Sequence, residues 1–119
     1  CRAICAQEYS AVTAACLMVK RSIYEAVGGF EEKLAVAFND VDYCLKVRKH
    51  GWLVVYDPYA EMHHYESKSR GYEDSPEKVE RFNGEVEILL SRWRDQIEQG
   101  DPYYNPNLTL DNSDFSLRR

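Results

Sequence analysis

The chain lacks the features that would place it in several common classes. No apolar run is long enough to cross a bilayer, which takes about 20 residues, and no signal-peptide pattern is present. Positive charge is in short supply. Fifteen Lys and Arg stand against twenty Asp and Glu, for a net charge of −5, and the basic residues are scattered. That leaves no nucleic-acid footprint. The four cysteines, at positions 1, 5, 16 and 44, lack the paired spacing of a zinc site. Cys16 and Cys44 sit in apolar patterns and are expected as buried thiols, while a Cys1–Cys5 disulfide stays open. A reducing, cytoplasmic compartment is the expectation, with the inner face of the membrane as one place within it. There is no internal repeat or low-complexity tract, and no βαβ unit precedes Val12. The first residue is Cys1, not Met, so a part of a longer protein is expected.

What is present is the composition of one small soluble α/β domain over 119 residues, 45% hydrophobic and 29% charged. Its centre is the run from Phe38 to Gly51, where Asn39, Asp40 and Asp42 fall within four positions and a helix follows. Val41, Leu45 and Trp52 recur near helical spacing. Asp42 stands four residues before Lys46, a supporting pair on a helix, and Gly51 suits the left-handed position that ends one. The spacing predicts a helix over about residues 39–50, with Asn39 or Asp40 as its N-cap. By themselves these acids are explained as caps and dipole partners of a helix start.

Before this helix, residues 12–20 read as a buried strand entering from a tight loop, and Ser22 with Glu25 as the capping box of a short helix. Gly28-Gly29-Phe30 stops that helix. After residue 51, Leu53-Val54-Val55-Tyr56 reads as a buried strand ended by Asp57-Pro58, and residues 60–65 as a shorter one on which His63 and His64 face opposite ways. Lys68 and Arg70 lie in a polar basic loop. Ser75-Pro76-Glu77 opens a long helix over about residues 76–99. Val79, Phe82, Val86, Leu89, Leu90, Trp93 and Ile97 form its apolar stripe. The tail from residue 101 has turn residues and no period.

The order acid cluster, helix, Gly, strand, Pro, short strand, His pair resembles the C-terminal half of the catalytic domain of family 2 glycosyltransferases, which have the GT-A fold. The tail Asp101-Pro102-Tyr103-Tyr104-Asn105-Pro106-Asn107-Leu108 is similar to one that closes some bacterial members. The likeness runs from about Val12 onward. The chain departs from the family pattern at Ala14, where a Gly is usual, at Asn39, where Glu is common, and at Lys46, where Arg is frequent.

The resemblance implies a partial GT-A domain over residues 1–119, the acceptor-side half without the nucleotide-binding half. Its activity would be transfer of a sugar from a nucleotide-sugar donor to a glycan or lipid-linked hydroxyl acceptor, in bacterial surface polysaccharide synthesis. It matches Asp40 to the catalytic base and His64 to a ligand of Mn²⁺ or Mg²⁺ on the donor diphosphate. It places Gly29, Phe30 and Asp42 near the acceptor, followed by Glu31 as the acid after the Gly-Gly-Phe turn. Lys68 and Arg70 would lie in a loop closing over the diphosphate. Half a domain would leave apolar surface uncovered, so self-association is expected. A non-catalytic interaction module using the long helix and its Trp93 face is the competing reading. A metal-binding domain on His50, His63, His64 and the carboxylates is a weaker one, since those ligands lack regular spacing.

Overall fold

A computed structural model describes residues 4–65, 75–112 and 114–118. Among them the elements are β1 (Gln7–Glu8), a 3-10 turn (Ala14–Cys16), α1 (Arg21–Ala26), α2 (Asn39–Lys49), β2 (Val55–Tyr56) and α3 (Pro76–Glu98). The helices carry the structure. The sheet is one antiparallel pair, with Gln7 opposite Tyr56 and Glu8 opposite Val55, prolonged by a bond from Tyr9 N–H to Val54 O at 3.0 Å.

The two longer helices form where their spacing predicts. Gly51, at φ +83°, ends α2, its N–H bonding Arg48 O. Ser75 caps α3 by accepting from Lys78 N–H at 3.4 Å, with Pro76 behind it. One side of α2 and the segments around it make the core: Val27, Tyr43, Cys44, Val47 and Val54, flanked by Ala11, Val12, Leu17 and Ile23. Burial pushes the Cys44 thiol pKa up, and the negative charge of Asp40 pushes it the same way.

Several expectations are corrected. Residues 12–20 are not a buried strand. Thr13 accepts from Ala15 N–H at 3.2 Å, and this short-range bond turns the backbone into a 3-10 turn. Cys16 is exposed, not buried, and Met18 is 97% exposed. Cys5 is an exposed free thiol, and Cys1 lies outside the described residues. Ser22 does not cap α1, which begins one residue earlier with no side-chain cap. Glu25 instead takes Arg21 in an ion pair at 2.8 Å. The second strand is two residues long, with Leu53 and Val55 exposed, and residues 60–65 form no strand. The partner of β2 is the N-terminal stretch, through Gln7 and Glu8.

That stretch and the tail hold each other. Ser10 donates to Asp101 at 2.7 Å and accepts from Arg48 at 2.9 Å. Tyr103 donates to Glu8 at 2.9 Å, and the Arg48 guanidinium lies 5.2 Å from the Tyr103 ring centre. The tail folds back on the start of the chain through side chains, which no periodicity reports. No helix among the described residues is long and apolar enough to cross a membrane.

Candidate functional site

The acid cluster is arranged differently from simple capping. The residue at the N-cap of α2 is Phe38, in the left-handed conformation at φ +63° with no side-chain cap bond, so neither Asn39 nor Asp40 is the cap. A left-handed Phe is a strained choice, costing about 1–3 kcal/mol, and persists only where the surroundings hold it. Here they do. The Phe38 ring packs on Phe82 at 5.4 Å. Just before it, Glu85 of α3 accepts from Val36 N–H at 2.9 Å and Ala37 N–H at 3.0 Å, one bond to each carboxylate oxygen. Glu85 is only 3% exposed, and Arg81 one turn away stands 3.9 Å from it.

Asp40 sits in the first turn of α2, where the helix dipole favours a negative charge. One of its oxygens accepts from Val41 N–H at 2.9 Å, the other from Ala14 N–H at 3.1 Å. Ala14 belongs to the 3-10 turn, so the carboxylate is aimed by two segments at once. It is half-buried and remains open to solvent.

Asp42 is the opposite case, with 0% of its surface accessible. Trp93 Nε1–H and Arg92 Nε–H each reach Oδ1 at 2.8 Å. Lys46 Nζ lies 3.2 Å from Oδ2, an ion-pair distance without hydrogen-bond alignment. Arg92 also pairs with Glu31, and Lys46 donates to Gly29 O at 2.6 Å. A carboxylate enclosed in this way offers an acceptor nothing to touch, which corrects the expectation of acceptor contact at Asp42. The expected i,i+4 partnership with Lys46 is present.

Gly29 is held at φ +64°, and a Cβ there would stand 2.8 Å from the Tyr24 ring. Phe30 is partly exposed and packs at 4.9 Å on Tyr43 and 5.8 Å on Tyr24. Tyr43 is buried, and burial, then the neighbouring Cys44 and Tyr24, raise its pKa. The structure thus draws Gly29, Phe30, Asp42 and Lys46 into one cluster beside the start of α2.

His63 and His64 are exposed in an irregular segment, so the two-fold alternation of a strand does not apply to them. His50 stacks on Trp52 and its Nδ1 is 2.9 Å from Lys46 O. Among the described residues no three His, Cys, Asp or Glu side chains converge where a metal ion could sit. His64 alone does not fit a hard divalent cation, which takes several oxygen ligands. Lys68 and Arg70 lie outside the described residues.

Glu85, Arg92 and Trp93 of α3 are partners of the site that spacing along the chain does not reveal. The interaction-module reading needs the Trp93 face open to a partner. Trp93 is 4% exposed and serves Asp42, so it is not offered to a partner. A Glu inside the apolar stripe of a long helix was the available signal for Glu85.

The chain is 54% identical over 118 residues to the uncharacterised protein y4gI of Sinorhizobium fredii, covering 98% of this chain and 13% of that protein. It is 34% identical over 114 residues to the O-antigen biosynthesis protein RfbC of Myxococcus xanthus, covering 95% of this chain and 8% of that one. It is 42% identical over 60 residues to the N-acetylglucosaminyl-diphospho-decaprenol L-rhamnosyltransferase of Mycobacterium tuberculosis, covering 50% of this chain and 20% of that enzyme. The chain therefore spans only a small part of these curated relatives. No protein-family model matches it, and no solved structure does.

Proposed function

We propose that this chain is the acceptor-side part of a glycosyltransferase of GT-A type, acting in cell-surface polysaccharide synthesis, with Asp40 as general base. The observation that carries the reading is the contrast between two carboxylates two positions apart. Asp42 is closed in by Trp93, Arg92 and Lys46. Asp40 is aimed by two backbone N–H groups yet open to solvent. Attack of an acceptor hydroxyl on the anomeric carbon needs that hydroxyl's proton removed, and a positioned carboxylate supplies this. The similarity to proteins named for O-antigen biosynthesis and for rhamnosyl transfer supports the same class.

On this reading the partners are a nucleotide-sugar donor and a glycan or lipid-linked acceptor, met at Gly29 and Phe30, in the cytoplasm or at the inner membrane face. Mn²⁺ or Mg²⁺ belongs to the full-length protein with donor bound. His64 would be one ligand, and Lys68 and Arg70 would lie near the diphosphate. The remaining ligands would come from the donor and from residues beyond this chain.

The test is Asp40→Asn in the full-length protein, assayed with a panel of radiolabelled UDP-, GDP- and dTDP-sugars. Asn keeps one acceptor oxygen, sets an NH₂ group against the other N–H, and cannot take a proton. Turnover should fall by about 10²–10⁴-fold with folding and donor binding retained. Near-normal turnover would leave Asp40 a structural residue.

A second reading, an interaction module using α3, rests on the exposure of Val79, Phe82 and Ile97 along that helix. Normal transferase activity with Val79 and Ile97 made polar would set it aside.

A further inference from the structure

We propose that Glu85 is a positioning residue for Asp40, fixing from α3 the backbone that leads into α2. The catalytic side of this inference rests on the function proposed above; its geometric side does not.

The carboxylate of Glu85 lies inside the protein and takes the N–H groups of two consecutive residues, Val36 and Ala37, one on each oxygen. Two bonds to adjacent peptides fix the orientation of that backbone as well as its position. Only Phe38 and Asn39 separate this point from Asp40. Phe38 is confined in turn, left-handed in its backbone and packed on Phe82, one turn of α3 before Glu85. On the other side of Asp40, α3 grips Asp42 through Trp93 and Arg92. Asp40 therefore lies between two attachments to a single helix, at residues 82–85 and 92–93.

Its own bonds depend on that placement. Val41 N–H is local, but Ala14 N–H comes from a segment 26 residues away, and a shift of the α2 entry would part the two. Glu85 makes no contact with the Asp40 carboxylate in this arrangement. It acts through the chain. A buried Glu that only filled space would gain nothing by being charged, whereas one that bonds two N–H groups removes two unpaired donors and locks a strained turn.

The experiment compares Glu85→Gln, Leu89→Val and Asp40→Asn in the full-length protein. Amide exchange is followed at Ala14, and kcat and KM are measured with the same sugar-nucleotide panel. Gln is isosteric but sets an NH₂ group against one of the two N–H groups. Glu85→Gln should speed exchange at Ala14 about tenfold or more relative to the amides of Tyr43 to Val47. It should also lower kcat by up to about 10²-fold, the effect of a misplacement near 1 Å, with KM for donor unchanged. Leu89→Val shortens a buried α3 side chain while leaving the Glu85 carboxylate in place, and should do neither.

Unchanged Ala14 exchange in Glu85→Gln, or equal acceleration in Leu89→Val, overturns the inference. Should Glu85→Gln fail to fold, Phe82→Ala carries the same test, since that ring is partly exposed. Faster Ala14 exchange then supports the inference and unchanged exchange overturns it. The two proposals fail separately. Loosened Ala14 with normal turnover in Asp40→Asn removes the catalytic role and keeps the positioning. Lost turnover in Asp40→Asn with Ala14 and kcat untouched in Glu85→Gln removes the positioning and keeps the catalysis.

Discussion

The clasp between α2 and α3 and the surface around β2 are built on opposite terms. In the clasp, two buried carboxylates, Asp42 and Glu85, are met by donors from distant parts of the chain. Around β2, apolar side chains stand in the open. Leu53 is 63% exposed and Tyr59 88%, with Met62 and Tyr65 alongside. The first region meets its carboxylates with partners from within the chain, Asp42 Oδ2 through the Lys46 ion pair alone. The second has a hydrophobic surface and a short open sheet edge, which favour association with another surface.

The sharpest way to break this contrast is Asp42→Ala. It leaves Arg92, Lys46 and the Trp93 N–H without their shared acceptor, and loss of one partner from such a buried set costs about 3–5 kcal/mol. Urea denaturation should show a loss of that size or no cooperative transition at all. Gly29→Ala comes next. The added Cβ meets the Tyr24 ring at a backbone angle that L residues avoid, and a cost of about 1–3 kcal/mol is expected, read from the thermal midpoint.

On the open side, Leu53→Lys should change stability by no more than about 0.5 kcal/mol while reducing self-association measured by light scattering at high concentration. A monomeric mass for the unmodified chain at that concentration would remove the contrast.

The smallest effect concerns thiols. Cys5 and Cys16 are exposed and Cys44 is buried, so a thiol reagent at pH 8 should label the first two promptly and Cys44 only on unfolding. Because the Cys44 pKa is raised above 9.0 in the fold, the folded state holds its proton where the unfolded chain releases it. Stability from this group is thus complete below the ordinary thiol value and falls as pH rises past it.

The two long helices were legible because their information is local. Apolar residues three and four apart, Ser75 with Pro76, and Gly51 are all written within a turn or two of where they act. The small strands were not legible in the same way. Gln7 and Glu8 have no pattern of their own and become a strand only because Tyr56 and Val55 lie beside them. Residues 12–20 had apolar content suited to a strand, but Thr13 and the bond from Ala14 to Asp40 turned the backbone first.

The acid cluster itself was visible as a cluster, and its sorting was not. The sequence by itself determined that Asp40 and Asp42 open a helix, and that Lys46 stands one turn from Asp42. Which of the two carboxylates is buried, that Phe38 takes a left-handed turn, and that Glu85 belongs beside them were decided by tertiary structure alone. The reason is distance along the chain. Trp93 is 51 residues from Asp42 and Glu85 is 49 from Val36. A charge buried by partners that far away looks, in the sequence, like any solvated acid on a helix.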